Sequence, residues 1–319
     1  MLFPEDAQEL RSEQNSESNT LSVNFAGMYL RNPTLLASGF LGISMDLFRR
    51  LYKLNVGAIV TKSISISPIE GYRNPTVVSL DKSSYLNAVG LANPGADAFS
   101  EEIRENDNLP IMISLVGSSD RDFPTLVRKF DNLNITGYEI NLSCPHVAKM
   151  GMEVGDDPEM VYRIIKATKS HTTKPVFVKV GVGNADVLSI ASIAKDAKAN
   201  GITAINTLRA MAIDIETGMP ILSNKVGGLS GKPIKPLAIR CTYEITKHIG
   251  IPVIACGGIL TWEDAVEAML AGASAVQLGS VIASEGLASF DMICSGIQRY
   301  LKRKNVKSVM EIIGIAHKY

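Results

Sequence analysis

Eight short apolar runs recur along this chain, at residues 34–37, 57–61, 110–116, 137–142, 175–180, 203–207, 251–256 and 274–278, and their rhythm constrains the fold more than any other feature. Several are apolar without alternation, such as Ala58-Ile59-Val60 and Val253-Ile254-Ala255. A strand with one wet face alternates polar and apolar residues; a continuous run must be covered on both faces, as parallel strands flanked by helices are. Helical periodicity fills the gaps. Val161, Ile164, Ile165 and Thr168 share one helix face, with Arg163 and Lys166 opposite, and Ile190, Ile193, Ala194 and Ala197 repeat the pattern up to a helix stop at Asn200-Gly201. Eight strands alternating with helices predict an α/β fold of the (β/α)8 TIM-barrel type. The rival is an open doubly wound sheet, which calls for a G-x-G-x-x-G turn after an early strand; the sequence has none.

The rhythm is broken in a few places. Leu21 to Phe25 alternates, and Ala26-Gly27 turns the chain into Met28-Tyr29-Leu30, which predicts an N-terminal β-hairpin under the barrel. Two long insertions, 62–95 after the second run and 208–235 after the sixth, follow strand C-terminal ends, the face where such barrels carry their sites. Residues 1–20 hold Glu5, Asp6, Glu9, Glu13 and Glu17 against Arg11 and read as an acidic, solvated tail, leaving 21–319 as one barrel domain. The formal net charge is zero, which favours neither nucleic acid nor an acidic membrane surface. No apolar run is long enough to span a bilayer, and no signal peptide opens the chain. Cys144, Cys241, Cys256 and Cys294 form no C-x-x-C pair and no metal-spaced cluster, which predicts a reduced, cytoplasmic protein with neither metal nor iron–sulfur site of its own.

The chemistry gathers at strand ends. Tyr138-Glu139-Ile140-Asn141-Leu142-Ser143-Cys144-Pro145-His146 reads as a buried strand running into a polar loop. An amide, a hydroxyl and a thiol together suit a site that holds a polar heterocycle and moves a proton; the alternative is a capped strand end with an ordinary buried thiol. Gly257-Gly258 follows the seventh run, and Gly279-Ser280 follows the eighth at the start of a helix. With Gly227-Gly228-Leu229-Ser230-Gly231 as a third glycine-rich cradle, they predict backbone N–H groups around a phosphate monoester such as the tail of FMN. Ala37-Ser38-Gly39 offers a small-residue surface to a flat ring. Lys62 after the second run and Lys179 near the end of the fifth are cations at apolar strand ends, where an ammonium rarely lacks a partner and can face negative charge on a bound group.

In this order, Ala37-Ser38-Gly39, Thr61-Lys62-Ser63, residues 87–95 (Asn-Ala-Val-Gly-Leu-Ala-Asn-Pro-Gly), Asn141-Leu142-Ser143-Cys144-Pro145, Asn206-Thr207, the glycines 227–231 and Gly257-Gly258 resemble the dihydroorotate dehydrogenase family, in its cysteine-base, class 1 branch, over about residues 21–300. The resemblance implies oxidation of (S)-dihydroorotate to orotate in de novo pyrimidine synthesis, with Cys144 as the base and the hydride passing to N5 of FMN. It implies substrate contacts from Lys62, Asn87, Val89, Gly90, Leu91, Asn141, Asn206 and Thr207. For FMN it implies Ala37, Ser38, Gly39, Lys62, Ser63, Ser114, Asn141, Lys179, Thr207, Gly231, Gly257, Gly258, Gly279 and Ser280. The wording of residues 87–95 is most similar to the catalytic subunit of the heteromeric NAD-linked form, whose partner carries FAD and a [2Fe–2S] cluster, so a homodimer or heterotetramer is expected.

Three positions depart from the family pattern. His146 stands where Asn is usual and resembles the Asn-Leu-Ser-Cys-Pro-His motif of dihydropyrimidine dehydrogenases; Ser114 replaces a common Asn; residues 180–184 lack the usual Ser-Pro-Asn or Thr-Pro-Asn. An enzyme of uracil or thymine is therefore the nearest alternative. A flavin-free phosphate-binding barrel lyase or isomerase is the alternative of another class.

Overall fold

A computed structural model describes residues 20–142, 154–183 and 185–319. Strands β3 (Thr34–Leu36), β4 (Ala58–Val60), β7 (Ile111–Leu115), β8 (Gly137–Asn141), β9 (Val176–Val180), β10 (Gly201–Ala204), β13 (Val253–Cys256) and β14 (Ala275–Leu278) close into one barrel, in the order β10-β13-β14-β3-β4-β7-β8-β9. Every pairing between them is parallel. Around it lie the α-helices α1 (Met45–Lys53), α2 (Ala96–Arg104), α3 (Asp122–Phe130), α4 (Pro158–Lys169), α5 (Val187–Asp196), α6 (Lys235–Glu244), α7 (Trp262–Leu270), α8 (Val281–Glu285) and α9 (Ser289–Lys304). The expected (β/α)8 barrel is the fold.

Local chemistry explains individual elements. Helix α4 starts where the Asp157 side chain accepts the Met160 N–H and Pro158 presets the first turn, and it buries Val161, Ile164, Ile165 and Thr168 as their spacing predicts. The hairpin is β1 (Val23–Phe25) and β2 (Met28–Leu30), joined through Ala26 and Gly27, both at positive φ. Its inward residues Val23, Phe25, Met28 and Leu30 are buried, and Phe25 meets the Phe177 ring edge-on at 5.9 Å. Gly27 lies beside Pro175, just ahead of β9, so the hairpin covers the end of the barrel where the strands begin.

Two boundaries differ from the sequence expectation. The sixth barrel strand is Gly201–Ala204, so Asn206 and Thr207 lie beyond it at the mouth. Gly201 does not stop a helix: α5 ends at Asp196, the chain turns at Lys198 with φ +73, and Gly201 opens β10. A glycine is needed there because a Cβ would fall 2.2 Å from the Phe177 ring.

The two insertions meet. β5 (Val77–Asp81) and β6 (Ser84–Asn87) from the first pair with β11 (Leu208–Ala210) and β12 (Gly227–Gly231) from the second, forming an antiparallel sheet in the order β11-β12-β6-β5. The glycine run read as a phosphate cradle is therefore a strand. Its glycines admit close neighbours, since a Cβ at Gly227 would meet Asn87 O at 2.4 Å and one at Gly228 would meet Thr207 Oγ1 at 2.1 Å. Only Gly231, at φ +94 just before the short turn Lys232–Ile234 and α6, keeps a conformation suited to a cradle.

Candidate active site

The barrel's strands end at one mouth, and a chain of side-chain hydrogen bonds runs around part of it. Ser63 Oγ, past β4, lies 2.9 Å from Ser114 Oγ on β7. Asn141, the last residue of β8, donates from Nδ2 to Ser63 Oγ at 3.0 Å and accepts at Oδ1 from Asn206 Nδ2 at 3.1 Å. Asn206 in turn accepts the Thr207 N–H at 2.9 Å. Both amides are oriented by these bonds, because each uses its oxygen and its nitrogen on a different neighbour. Ser114 is fully buried behind Ser63, and its own N–H donates to Thr61 Oγ1 at 3.0 Å.

The insertion sheet adds Asn87 to this line. Asn87 ends β6 and donates from Nδ2 to Gly228 O at 3.2 Å, and Gly228 is the residue packed on Thr207. Beyond Asn87 the chain makes the expected tight turn: Gly90 at φ +74 and Leu91 at φ +58 are consecutive left-handed residues, and the Val89 carbonyl accepts the Tyr72 N–H. Asn93, whose part the sequence reading did not specify, pins this turn to the barrel. Its Nδ2 donates to Leu91 O at 2.8 Å and to Ser65 Oγ at 2.9 Å, and its Oδ1 accepts from Gly95 N at 2.9 Å. The Lys62 ammonium is half-buried, burial lowers its pKa, and no carboxylate among the described residues pairs with it.

A second polar group fills the inside of the barrel. Lys179 on β9 is 4% exposed and donates from Nζ to Ser38 Oγ at 3.1 Å and to Gln277 Oε1 at 3.2 Å. Gln277 on β14 donates from Nε2 to Glu139 Oε2 at 2.5 Å, and Thr203 on β10 donates to the same oxygen at 2.9 Å. β8 is next to neither β10 nor β14 in the sheet, so these groups meet across the barrel interior. The other oxygen, Glu139 Oε1, has no hydrogen-bond partner among the described residues and lies 3.9 Å from Lys179 Nζ. Burial, the largest influence, would push the Lys179 pKa down, but Cys256 and Glu139 beside it together push it up, and the net direction is upward. Burial, the largest influence, pushes the Cys256 thiol itself up, against the opposing pull of the Lys179 ammonium beside it. Sequence reasoning found Lys179 and missed Glu139, Thr203 and Gln277. The usable signal was the same for Glu139 and Gln277 as for Lys179: a polar residue in an otherwise apolar strand.

The backbone cradle sits on another part of the mouth. Gly257 and Gly258 follow β13 at φ +122 and +69, and a Cβ at Gly258 would lie 2.6 Å from Lys235, at the start of α6. Gly231 precedes that helix by a single turn, and its own Cβ would lie 1.8 Å from Ser83 O. Gly279 lies beside Ala37, whose N–H donates to Leu278 O. A side chain is excluded at Gly231 and at Gly258, so the backbone is bare at these two positions. The helix expected after Ser280 is only the five residues Val281–Glu285, too short for a sizeable dipole; the ten-residue α6 is the longer helix here.

Among proteins of known family, the dihydroorotate dehydrogenase model matches residues 20–301. The chain belongs to the dihydroorotate dehydrogenase family. A relative in Pyrococcus furiosus is 45% identical over 300 residues, 94% of this chain and 99% of its own length. One in Pyrococcus abyssi is 46% identical over 299 residues, covering 93% and 99%. One in Methanocella arvoryzae is 42% identical over 300 residues, covering 93% and 98%. All three carry the name dihydroorotate dehydrogenase B (NAD(+)), catalytic subunit.

Against the family's expected residues, the fold brings Ser63, Asn141, Asn206, Thr207 and Asn87 into one contiguous line and sets Ser38 on Lys179. Cys144 and His146 lie outside the described residues, as do Ser143 and Pro145. No helix among the described residues is long and apolar enough to cross a membrane. Among the same residues, no group of three or more His, Cys, Asp or Glu is placed to hold a metal ion.

Proposed function

We propose that this chain oxidises (S)-dihydroorotate to orotate in pyrimidine biosynthesis, with FMN as its cofactor and Cys144 as its base. The observation that carries the reading is the line Asn87–Thr207–Asn206–Asn141–Ser63. It unites both insertions and three barrel strands in a row of oriented donors and acceptors, as a cyclic ureide bearing a carboxylate requires. Family membership supports the same substrate.

The residues fit the cofactor. Gly231, Gly257, Gly258 and Gly279 leave the backbone without side chains where the chain leaves the last strands and enters α6, suited to a phosphate monoester. Ala37, Ser38 and Gly39 offer small side chains, and Lys179 an interior ammonium suited to the pyrimidine side of the isoalloxazine. When bound, FMN supplies the acceptor for the hydride that leaves C6 of the substrate.

The rest is work for the chain. Asn87 and the N–H groups of the turn at Val89, Gly90 and Leu91 hold the substrate carboxylate, with Lys62 as its cation. Asn141, Asn206 and Thr207 hold the ureide edge. Cys144, three positions after Asn141 in the sequence, takes the C5 proton as a thiolate, and the electrons of that C–H bond form the C5–C6 double bond as the C6 hydride departs. A thiol suits this task because its reference pKa, about 8.5, lies close enough to neutrality for a polar site to lower it into range.

The relatives' shared name supports one further element, an electron-transfer partner. The proposed partner carries FAD and a [2Fe–2S] cluster and passes electrons on to NAD. The deciding experiment is purification followed by a visible spectrum and parallel assays on dihydroorotate and dihydrouracil. A yellow protein turning over dihydroorotate is expected. A colourless protein, or one that prefers dihydrouracil, overturns the reading.

A further inference from the structure

Lys179 is held from inside the barrel as well as from the mouth. Ser38 meets its ammonium near the mouth; Gln277 and Glu139 meet it from within. The Gln277 amide has a forced orientation, with its oxygen on the ammonium and its nitrogen on the carboxylate, so one side chain joins the two charges. Thr203 and Gln277 both spend donors on Oε2, which leaves Oε1 of a fully buried carboxylate without a donor among the described residues and 3.9 Å from Nζ. A purely structural ion pair would close to contact and satisfy both oxygens. This one is held slightly open, with its hydrogen bonds placed to steady the carboxylate. Among the described residues, the titratable groups that face Lys179 are Glu139 from β8 and Cys256 from β13; the neutral groups are Gln277 from β14 and Ser38 after β3.

We propose that Glu139 is a positioning residue for the redox chemistry: acting directly and through Gln277, it keeps the Lys179 ammonium charged and aimed at the flavin, and so raises the reduction potential of the bound cofactor. The inference rests on the flavin reading above. Electrostatics dictate the sign. A fixed cation beside the ring stabilises the negative charge of the reduced form, and a buried lysine that has lost a neighbouring carboxylate gives up its proton more readily.

The test is the midpoint potential of bound FMN in the purified holoprotein, from about pH 6 to about pH 10, a span that ends below the usual lysine pKa. Wild type and Glu139→Gln are compared by reductive titration against a reference dye. The wild type is expected to show no break from Lys179. Glu139→Gln is expected to fall below the wild type as pH rises, or to lie below it throughout if Lys179 is already neutral. Parallel curves that coincide, or a higher potential in the variant, overturn the proposal. If Glu139→Gln does not hold flavin, Gln277→Met cuts the bridge while keeping the carboxylate; a break inside the same window supports the proposal, and a wild-type curve overturns it. A wild-type protein that binds no flavin refutes the functional reading itself, whereas a yellow wild type with an indifferent variant refutes only the role of Glu139.

Discussion

Asn141 is where the mouth's hydrogen bonds converge. Its amide is tied on one side to Ser63 and on the other to Asn206, so a ligand meets a group already oriented by the protein. Asn87 differs, because among the described residues its side chain donates to a carbonyl of the insertion sheet, a bond that the proposed substrate carboxylate can replace at small cost. Asn87→Ala is therefore expected to raise the Michaelis constant for dihydroorotate by about 10-fold to 100-fold, the worth of a hydrogen bond to a charged group, with FMN absorbance retained. Loss of flavin in that variant would remove Asn87 from the substrate pocket. Cys144→Ala is expected to keep FMN bound and to lower turnover by about 10²-fold to 10⁴-fold, the usual worth of a positioned base. Steady-state rates together with a flavin spectrum check this, and undiminished turnover would take Cys144 out of the mechanism.

The barrel strands announced themselves because continuous apolar runs have few alternatives. The hairpin did so because an Ala-Gly pair at positive φ is one of the few ways to turn so tightly. The glycine strand β12 did not, since glycines that make turns and glycines that admit a neighbour are spelled alike. Gly201 was misjudged for the same reason. Gly201→Ala is expected to destabilise the protein by about 1–3 kcal/mol, because the new methyl enters the Phe177 ring and the core cannot yield freely. Urea unfolding with the slope held constant measures it. Gly228→Ala separates packing from function: its methyl would displace Thr207, so a raised Michaelis constant with little change in midpoint temperature is expected, and an unchanged constant would free Thr207 from the substrate role.

At the scale of the whole molecule, the barrel brings eight strand ends to one rim, and the insertions build a wall beside it from segments far apart in the chain. The relatives' names make association with a second subunit the expectation at this scale. Purification from the native source should bring down an iron-containing partner in a fixed ratio to flavin, measured by metal and flavin assays. A protein that reduces its acceptor at full rate without iron would argue for another electron route.

The amino-acid order by itself determined the barrel, the hairpin, the positions of both insertions and the kinds of residue at the mouth, because these follow from local periodicity and from which side chains stand at strand ends. It did not reveal that Asn87 meets Gly228, 141 residues away, or that Glu139, Thr203 and Gln277 converge under Lys179 from three other strands. Those contacts depend on barrel closure and on pairing between the insertions, which no local pattern encodes. A buried charge can be read along a strand; the partner that makes it tolerable comes from across the fold.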